Sequence, residues 1–141
     1  DEQYAIPFGE AAFPRQGKDV TIVAISNMVT HAIAAADLLA QEGISCDVID
    51  PRTVSPMDDE AILESVEVTG RLVVVDEGNP RCGLASDIAG IVAEKGFHSL
   101  RAPIRTVTAP HTPVPFAPEL EDAYLPNVDK VLAAVREVLG A

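Results

Sequence analysis

The chain has 141 residues, 48% of them apolar, with 22 acidic against 10 basic side chains and a net charge of −12. That length suits a single domain with one continuous core, and that charge works against nucleic acid and anionic membranes as partners, because their phosphates repel it. The two cysteines, the three scattered histidines and the lack of a long apolar run argue against a disulfide framework, a zinc site and a membrane span, and for a reducing, cytoplasmic setting.

The opening segment, DEQYAIPFGE, reads as an extended linker, since Pro7 disfavours an early helix. After a short piece, Glu10 to Arg15, the apolar run Asp19 to Ser26 predicts a buried strand, and the Ala-rich stretch Asn27 to Gln41 predicts a helix closed by Gly43 in a left-handed cap. Cys46 to Asp50 is a second strand. Ser55, Pro56 and Asp58 mark a helix start, combining a capping side chain, a proline preset for the first turn and an acid at the positive end of the dipole; that helix runs to Thr69 and stops at Gly70. Arg71 to Asp76 is a β-branched run suited to burial on both faces, followed by a Gly/Pro/Asn turn and a helix from Leu84 to Lys95 ended by Gly96.

A last short strand spans Ile104 to Thr108. The segment PVPFAPELEDAYLP then reads either as a recognition element or as a rigid connector with Phe116, Tyr124 and Leu125 as packing anchors. Asn127 can cap a final helix whose apolar residues Val128, Val131, Leu132, Val135, Val138 and Leu139 keep helical spacing and should face the core. Strand followed by helix, three times over, demands right-handed crossovers and a parallel sheet.

In such a sheet the loops at the carboxyl ends of the strands carry function. Here they hold Asn27, Arg52, the stretch Glu77 to Arg81 with Asn79, and His111. As an enzyme, the chain would use Glu77 or His111 as general acid or base and Arg52 or Arg81 as an anion clamp. The structural alternative makes Glu77 and Arg81 an ion pair that fixes a turn, and His111 a loop hydrogen-bonding or interface residue. Gly78 and Gly83 flank a helix start, but the chain has neither GxGxxG nor a P-loop lysine pattern, so a structural turn is the better reading of both.

The segment RLVVVDEGNPRCGLASD, from Arg71 to Asp87, resembles part of a known family when taken with DVTIVAISNMVTHAIAAADLLAQEGISCDVIDPRTVSPMD upstream and RTVTAPHTPVPFAPELEDAYLPN downstream. It is similar to the C-terminal, transketolase C-terminal-like domain of the beta subunit of thiamine-diphosphate-dependent 2-oxo acid dehydrogenases. NPRCGLASDIA and APHTPVPF look closest to acetoin dehydrogenase beta subunits, and the likeness runs from Ile6 to Leu139. The resemblance implies a three-layer α/β/α sandwich with a five-stranded, mostly parallel mixed sheet, in which Glu10 to Arg15 is an antiparallel edge strand beside the second long strand. Residues 1–9 would be a linker from an upstream domain, and residues 10–141 the domain itself.

The resemblance also implies where chemistry is not. In the family, thiamine diphosphate and magnesium are held by other domains through a loop of GDG type, which this chain lacks, so the chain alone is expected to hold no cofactor or metal and to be inactive. Implied partners are a second beta subunit, the alpha subunit of a heterotetramer, and the dihydrolipoyl acyltransferase core of a multienzyme complex. Asn27, Arg52, Asn79, Arg81, His111 and Phe116 become candidates for the active-site entrance or an interface; Glu77 and His111 match family motif positions without an assured catalytic role. Acetoin, pyruvate and branched-chain 2-oxo acids stay open as substrates. Two other readings are an independent protein–protein interaction module with no role at an active site, and a small nucleotide-binding doubly wound domain, the latter disfavoured by the missing glycine fingerprint.

Overall fold

The computed structural model describes residues 4–140; Asp1 to Gln3 of the expected linker lie outside the described residues. Five strands form one mixed sheet in the order β1-β3-β2-β4-β5. They are β1 (Ala12–Arg15), β2 (Val20–Ala24), β3 (Cys46–Asp50), β4 (Leu72–Asp76) and β5 (Arg105–Thr108). β1 pairs antiparallel with β3, and every other pairing is parallel, with Ile22 in register with Val48 on one side and with Val73 on the other. The short piece before the first long strand is thus the antiparallel edge strand, beside the second long strand as expected.

Helices cover both faces, because strand residues alternate between two apolar layers. Val20, Ile22, Ala24, Val48, Val73, Val75 and Val107 point to the layer under α1 (Met28–Gln41) and α5 (Val128–Leu139). Val23, Ile49, Leu72 and Val74 point to the layer under α2 (Asp59–Thr69) and α3 (Leu84–Lys95). Ala32, Ala35 and Ala36 are fully buried, and their small side chains let α1 lie close to both α5 and the sheet. The amphipathic face of α5 is spent inside the domain, with Val131, Val135 and Val138 buried, and Asn127 caps the helix by accepting from the Lys130 amide at 3.0 Å.

Two local expectations are corrected. α2 starts at Asp59 rather than at Ser55, because Asp58 is the cap: its Oδ1 accepts from the Ala61 amide at 3.2 Å and its Oδ2 from the Ala11 amide at 2.8 Å, so one carboxylate ties helix start to the β1 side. The proline-rich connector contains a short helix, α4 (Pro118–Tyr124), with Pro118 in its first turn and Glu119 and Glu121 near its amino end. Tyr124 is buried and donates to the Thr112 carbonyl at 3.3 Å, so it is an anchor; Leu125 is half-buried; Phe116 is fully exposed and anchors nothing within the domain.

A buried polar cluster holds α2 to the amino ends of β2 and β3. Ser65 donates to Asp47 at 2.5 Å, and the Thr21 hydroxyl lies 2.7 Å from that of Ser65 and 2.8 Å from that of Thr69. Among the described residues no buried side-chain nitrogen or oxygen lacks a partner, which is what a stable polar insertion in an apolar layer requires. No described helix is long and apolar enough to cross a membrane.

Candidate functional site

Parallel pairing brings the carboxyl ends of β3, β2, β4 and β5 to one edge of the sheet. Arg52, Asn27, the Glu77–Arg81 stretch and His111 therefore stand along that edge in this order. Among the described residues, the three non-glycine positions with left-handed backbone are Ser26 (φ 55°), Arg52 (φ 58°) and Cys82 (φ 54°), and each sits in one of these loops. Such conformations are costly without glycine and persist where the surroundings impose them.

The β4 loop is organised by Asp76, the first of the two acids that end the apolar run of this strand. Asp76 is nearly fully buried at the strand end, and its Oδ1 accepts from the Gly78 amide at 2.9 Å, turning the chain back at once. The readable signal was an Asp two residues before a Gly after an apolar run, a local side-chain-to-backbone turn. Gly83 completes the loop: a Cβ there would lie 2.4 Å from the Asn79 carbonyl oxygen, so no other residue fits without moving the turn. The Ser86 hydroxyl donates to the Pro80 carbonyl at 2.6 Å, fixing the far side.

Across the edge, His111 Nδ1 lies 3.2 Å from Asn79 Oδ1, joining the β4 and β5 loops. With the Asn79 oxygen as acceptor, Nδ1 is the donor of this bond. Of the residues singled out from sequence, these two are brought together. Glu77 and Arg81 are exposed and form no ion pair among the described residues, which corrects the expected turn-fixing salt bridge; Asp76 does that work instead. Arg52 and Asn27 are exposed; the Arg52 amide donates to Asp50 Oδ1 at 2.9 Å, so its role in the turn is through backbone. The entering segment is tied to the same edge, with the Gly9 amide donating to Thr53 Oγ1 at 2.9 Å.

An exposed imidazole and a lone exposed carboxylate can hydrogen-bond a partner, but general acid–base work needs a positioned, partly desolvated pair, which these loops do not form by themselves. Among the described residues no group of three or more His, Cys, Asp or Glu could hold a metal ion.

The two thiols differ sharply. Burial pushes Cys46 up from 9.0 to about 11, with the Arg15 charge opposing and the Asp19 charge adding to the rise, whereas Cys82 is exposed in the β4 loop. A raised thiol pKa means the native state prefers the neutral form, so this contribution to stability is complete below the unfolded pKa near 9.0 and is lost as pH climbs toward about 11. At pH 8 an alkylating reagent should modify Cys82 quickly and Cys46 only on unfolding; mass spectrometry showing equal labelling of both under native conditions would contradict the buried placement.

Comparison with known proteins fits this geometry. Residues 9–131 match the family model described as transketolase, C-terminal domain. The chain is 51% identical over 140 residues to the acetoin:2,6-dichlorophenolindophenol oxidoreductase subunit beta of Bacillus subtilis (strain 168), covering 99% of this chain and 41% of that one. It is 54% identical over 136 residues to the protein of the same name from Cupriavidus necator, covering 96% and 40%. Among solved structures, a split-gene transketolase described as an inactive beta4 tetramer superposes with a TM-score of 0.81 at 31% identity, covering 97% of this chain and 44% of that one. The chain thus spans about two fifths of the length of the curated relatives it matches. Five strands in this order, helices on both faces and a match over most of its length place the chain in the transketolase C-terminal domain family.

Proposed function

We propose that this chain is the C-terminal domain of the beta subunit of a cytoplasmic thiamine-diphosphate-dependent dehydrogenase acting on acetoin, and that its carboxyl-end loops serve assembly and border the active-site entrance. The observation that carries this reading is the placement of exposed apolar side chains. Val54, Val114 and Phe116 lie in the carboxyl-end loops, Leu120 in the following α4, and Tyr4 and Phe8 in the segment bonded to the same edge, with Phe116 101% exposed. Large apolar groups presented this way mark a surface that other protein covers. On this reading residues 1–9 join the domain to an upstream one, Phe116 and its neighbours meet a second beta subunit or the alpha subunit, and the domain also offers a surface to the acyltransferase core. Identity above 50% to two proteins named for acetoin supports acetoin over pyruvate or a branched-chain 2-oxo acid.

The residues present do not fit thiamine diphosphate or magnesium. Asp76 is committed to its own turn, Glu77 stands alone, and magnesium demands a near-octahedral set of oxygen donors. No step of the reaction is therefore assigned to this chain; its contribution is to position, to exclude water and to offer hydrogen bonds from Asn79 and His111 at the mouth.

Titration of the chain with thiamine diphosphate and magnesium should give no saturable heat, while the chain joined to an upstream beta-subunit domain and mixed with an alpha subunit should gain binding and dehydrogenase activity. In that assembly Phe116→Ser should weaken subunit association in sedimentation without changing the melt of the isolated domain. A one-to-one isotherm with the chain alone would overturn the assignment.

A further inference from the structure

The antiparallel pairing of β1 with β3 stops where β3 ends, with Ala12 in register with Asp50. The residues before Ala12 therefore have no strand partner on that side, and their amides need acceptors from elsewhere. Two side chains of the segment between β3 and α2 supply them. The Gly9 amide donates to Thr53 Oγ1 at 2.9 Å and the Ala11 amide to Asp58 Oδ2 at 2.8 Å, across 44 and 47 residues of sequence.

Each acceptor is itself held. Asp58 Oδ1 accepts from the Ala61 amide at 3.2 Å as the cap of α2, and the Thr53 hydroxyl donates to the Pro56 carbonyl at 2.7 Å. Neither side chain can follow the entering segment without undoing the helix start or the loop. Gly9 closes against the same loop, turning the chain with φ of 75°, and a Cβ there would lie 3.3 Å from Pro56 Cγ. Residues 4–8 are exposed, whereas Gly9 and Ala11 are half-buried and Ala11 packs on the layer under α2 and α3, so the chain meets the body of the domain at Gly9. Arg52 precedes Thr53 directly, and its left-handed backbone (φ 58°) is held on the other side by Asp50 Oδ1, which accepts from its amide. A conformation of this kind relaxes when its surroundings let go.

We propose that Thr53 and Asp58 form a clasp that joins the entering segment to the Arg52 loop as one body, so that the direction from which the chain arrives sets where Arg52 stands on the carboxyl edge. Both are positioning residues, acting through Arg52 rather than on a substrate. A displacement before Gly9 is carried to Thr53 through its hydrogen bond and to Arg52 through the adjoining peptide, while Asp58 holds the other end of the clasp against α2. Two hydrogen bonds and one proline contact are few enough to open locally while the sheet stays folded. The inference rests on the proposed reading that residues 1–9 lead from an upstream domain; on that reading the clasp ties the posture of that domain to one side of the active-site entrance.

The test is nuclear magnetic resonance on the full 141-residue chain, reading amide hydrogen exchange together with the Arg52 amide and Nε–H resonances. Thr53→Val keeps the branched shape and removes the acceptor, so the Gly9 amide should exchange about tenfold faster or more, and the Arg52 resonances should shift. Asp58→Ser keeps a capping oxygen for α2 but is too short to reach Ala11 as well. The Ala11 amide should then exchange faster by about the same factor, with Ala61 protection and the circular dichroism melt at parent values and Arg52 shifted in the same direction. Gly9→Ala, strained at its positive φ and pressed on Pro56, should release the clasp from the other side and move Arg52 likewise. Parent-level exchange at Gly9 in Thr53→Val, or Arg52 resonances that stay in place while the Gly9 or Ala11 amide is freed, would overturn the inference. If Asp58→Ser loses its melt, Thr53→Val and Gly9→Ala decide, because neither touches the helix cap. A failed clasp with intact activity in the reconstituted enzyme would leave the proposed function standing, and an inactive reconstitution with the Arg52 shifts intact would do the reverse.

Discussion

Val135→Asp should abolish the cooperative thermal melt of the domain or lower it by some tens of degrees. Val135 is fully buried in α5 in the layer that also contains Ala32, Ala36 and Val75. An aspartate there has no cationic or hydrogen-bonding partner in an apolar layer, and a buried unpaired charge costs about 3–5 kcal/mol. Domains of this kind are stable by about 5–15 kcal/mol, so the change removes a large share of the margin. Circular dichroism melts and sedimentation check it together. A variant that melts like the parent but changes its association state would show that this face of α5 is an interface, contrary to its burial against the domain's own sheet.

Gly83→Ala should destabilise the domain by about 2 kcal/mol, the range expected when a small group is forced into filled space. The conflict is with backbone: the added Cβ would lie 2.4 Å from the Asn79 carbonyl oxygen, and no rotamer change relieves it. The β4 loop must open, which separates Asn79 from His111, so the His111 ring resonances should shift in nuclear magnetic resonance spectra. Gly90→Ala is the matched control. Gly90 lies inside α3 with nothing within 4 Å of an added Cβ, so the same chemical change there should stabilise by about 0.5–1 kcal/mol through helix propensity alone. If both variants melt alike, steric closure at Gly83 is not what holds the loop.

The position of the strands was legible because their pattern is dictated by burial on both faces. VTIVA and LVVVD leave no polar side, and only a sheet covered by helices satisfies that. The terminal helix was legible for a similar reason, since Val131, Val135 and Val138 repeat at helical spacing and spacing alone assigns them one face. Local capping was less secure. Ser55, Pro56 and Asp58 are all plausible start signals, and the choice of Asp58 was made by a contact 47 residues away, with the Ala11 amide. α4 was hidden by its prolines, although Pro118 at the first turn is compatible with a helix.

The candidate site shows the same division. Sequence order alone, with a parallel sheet assumed, was enough to bring Asn27, Arg52, Asn79 and His111 to one edge, because every parallel strand delivers its following loop to the same side. It could not say that Asn79 and His111 touch while Glu77 and Arg81 do not. Those outcomes depend on turn geometry set by the buried Asp76 carboxylate and by the close approach at Gly83, and on side chains separated by 32 residues. Periodic burial is a property each segment carries within itself, so the sequence by itself determined the layers, the parallel direction of the long strands and the edge at which the candidate residues gather. Pairings between loops are long-range contacts whose partners are chosen only when the chain closes, so the tertiary structure alone decided which side chains meet and which aromatic rings remain uncovered.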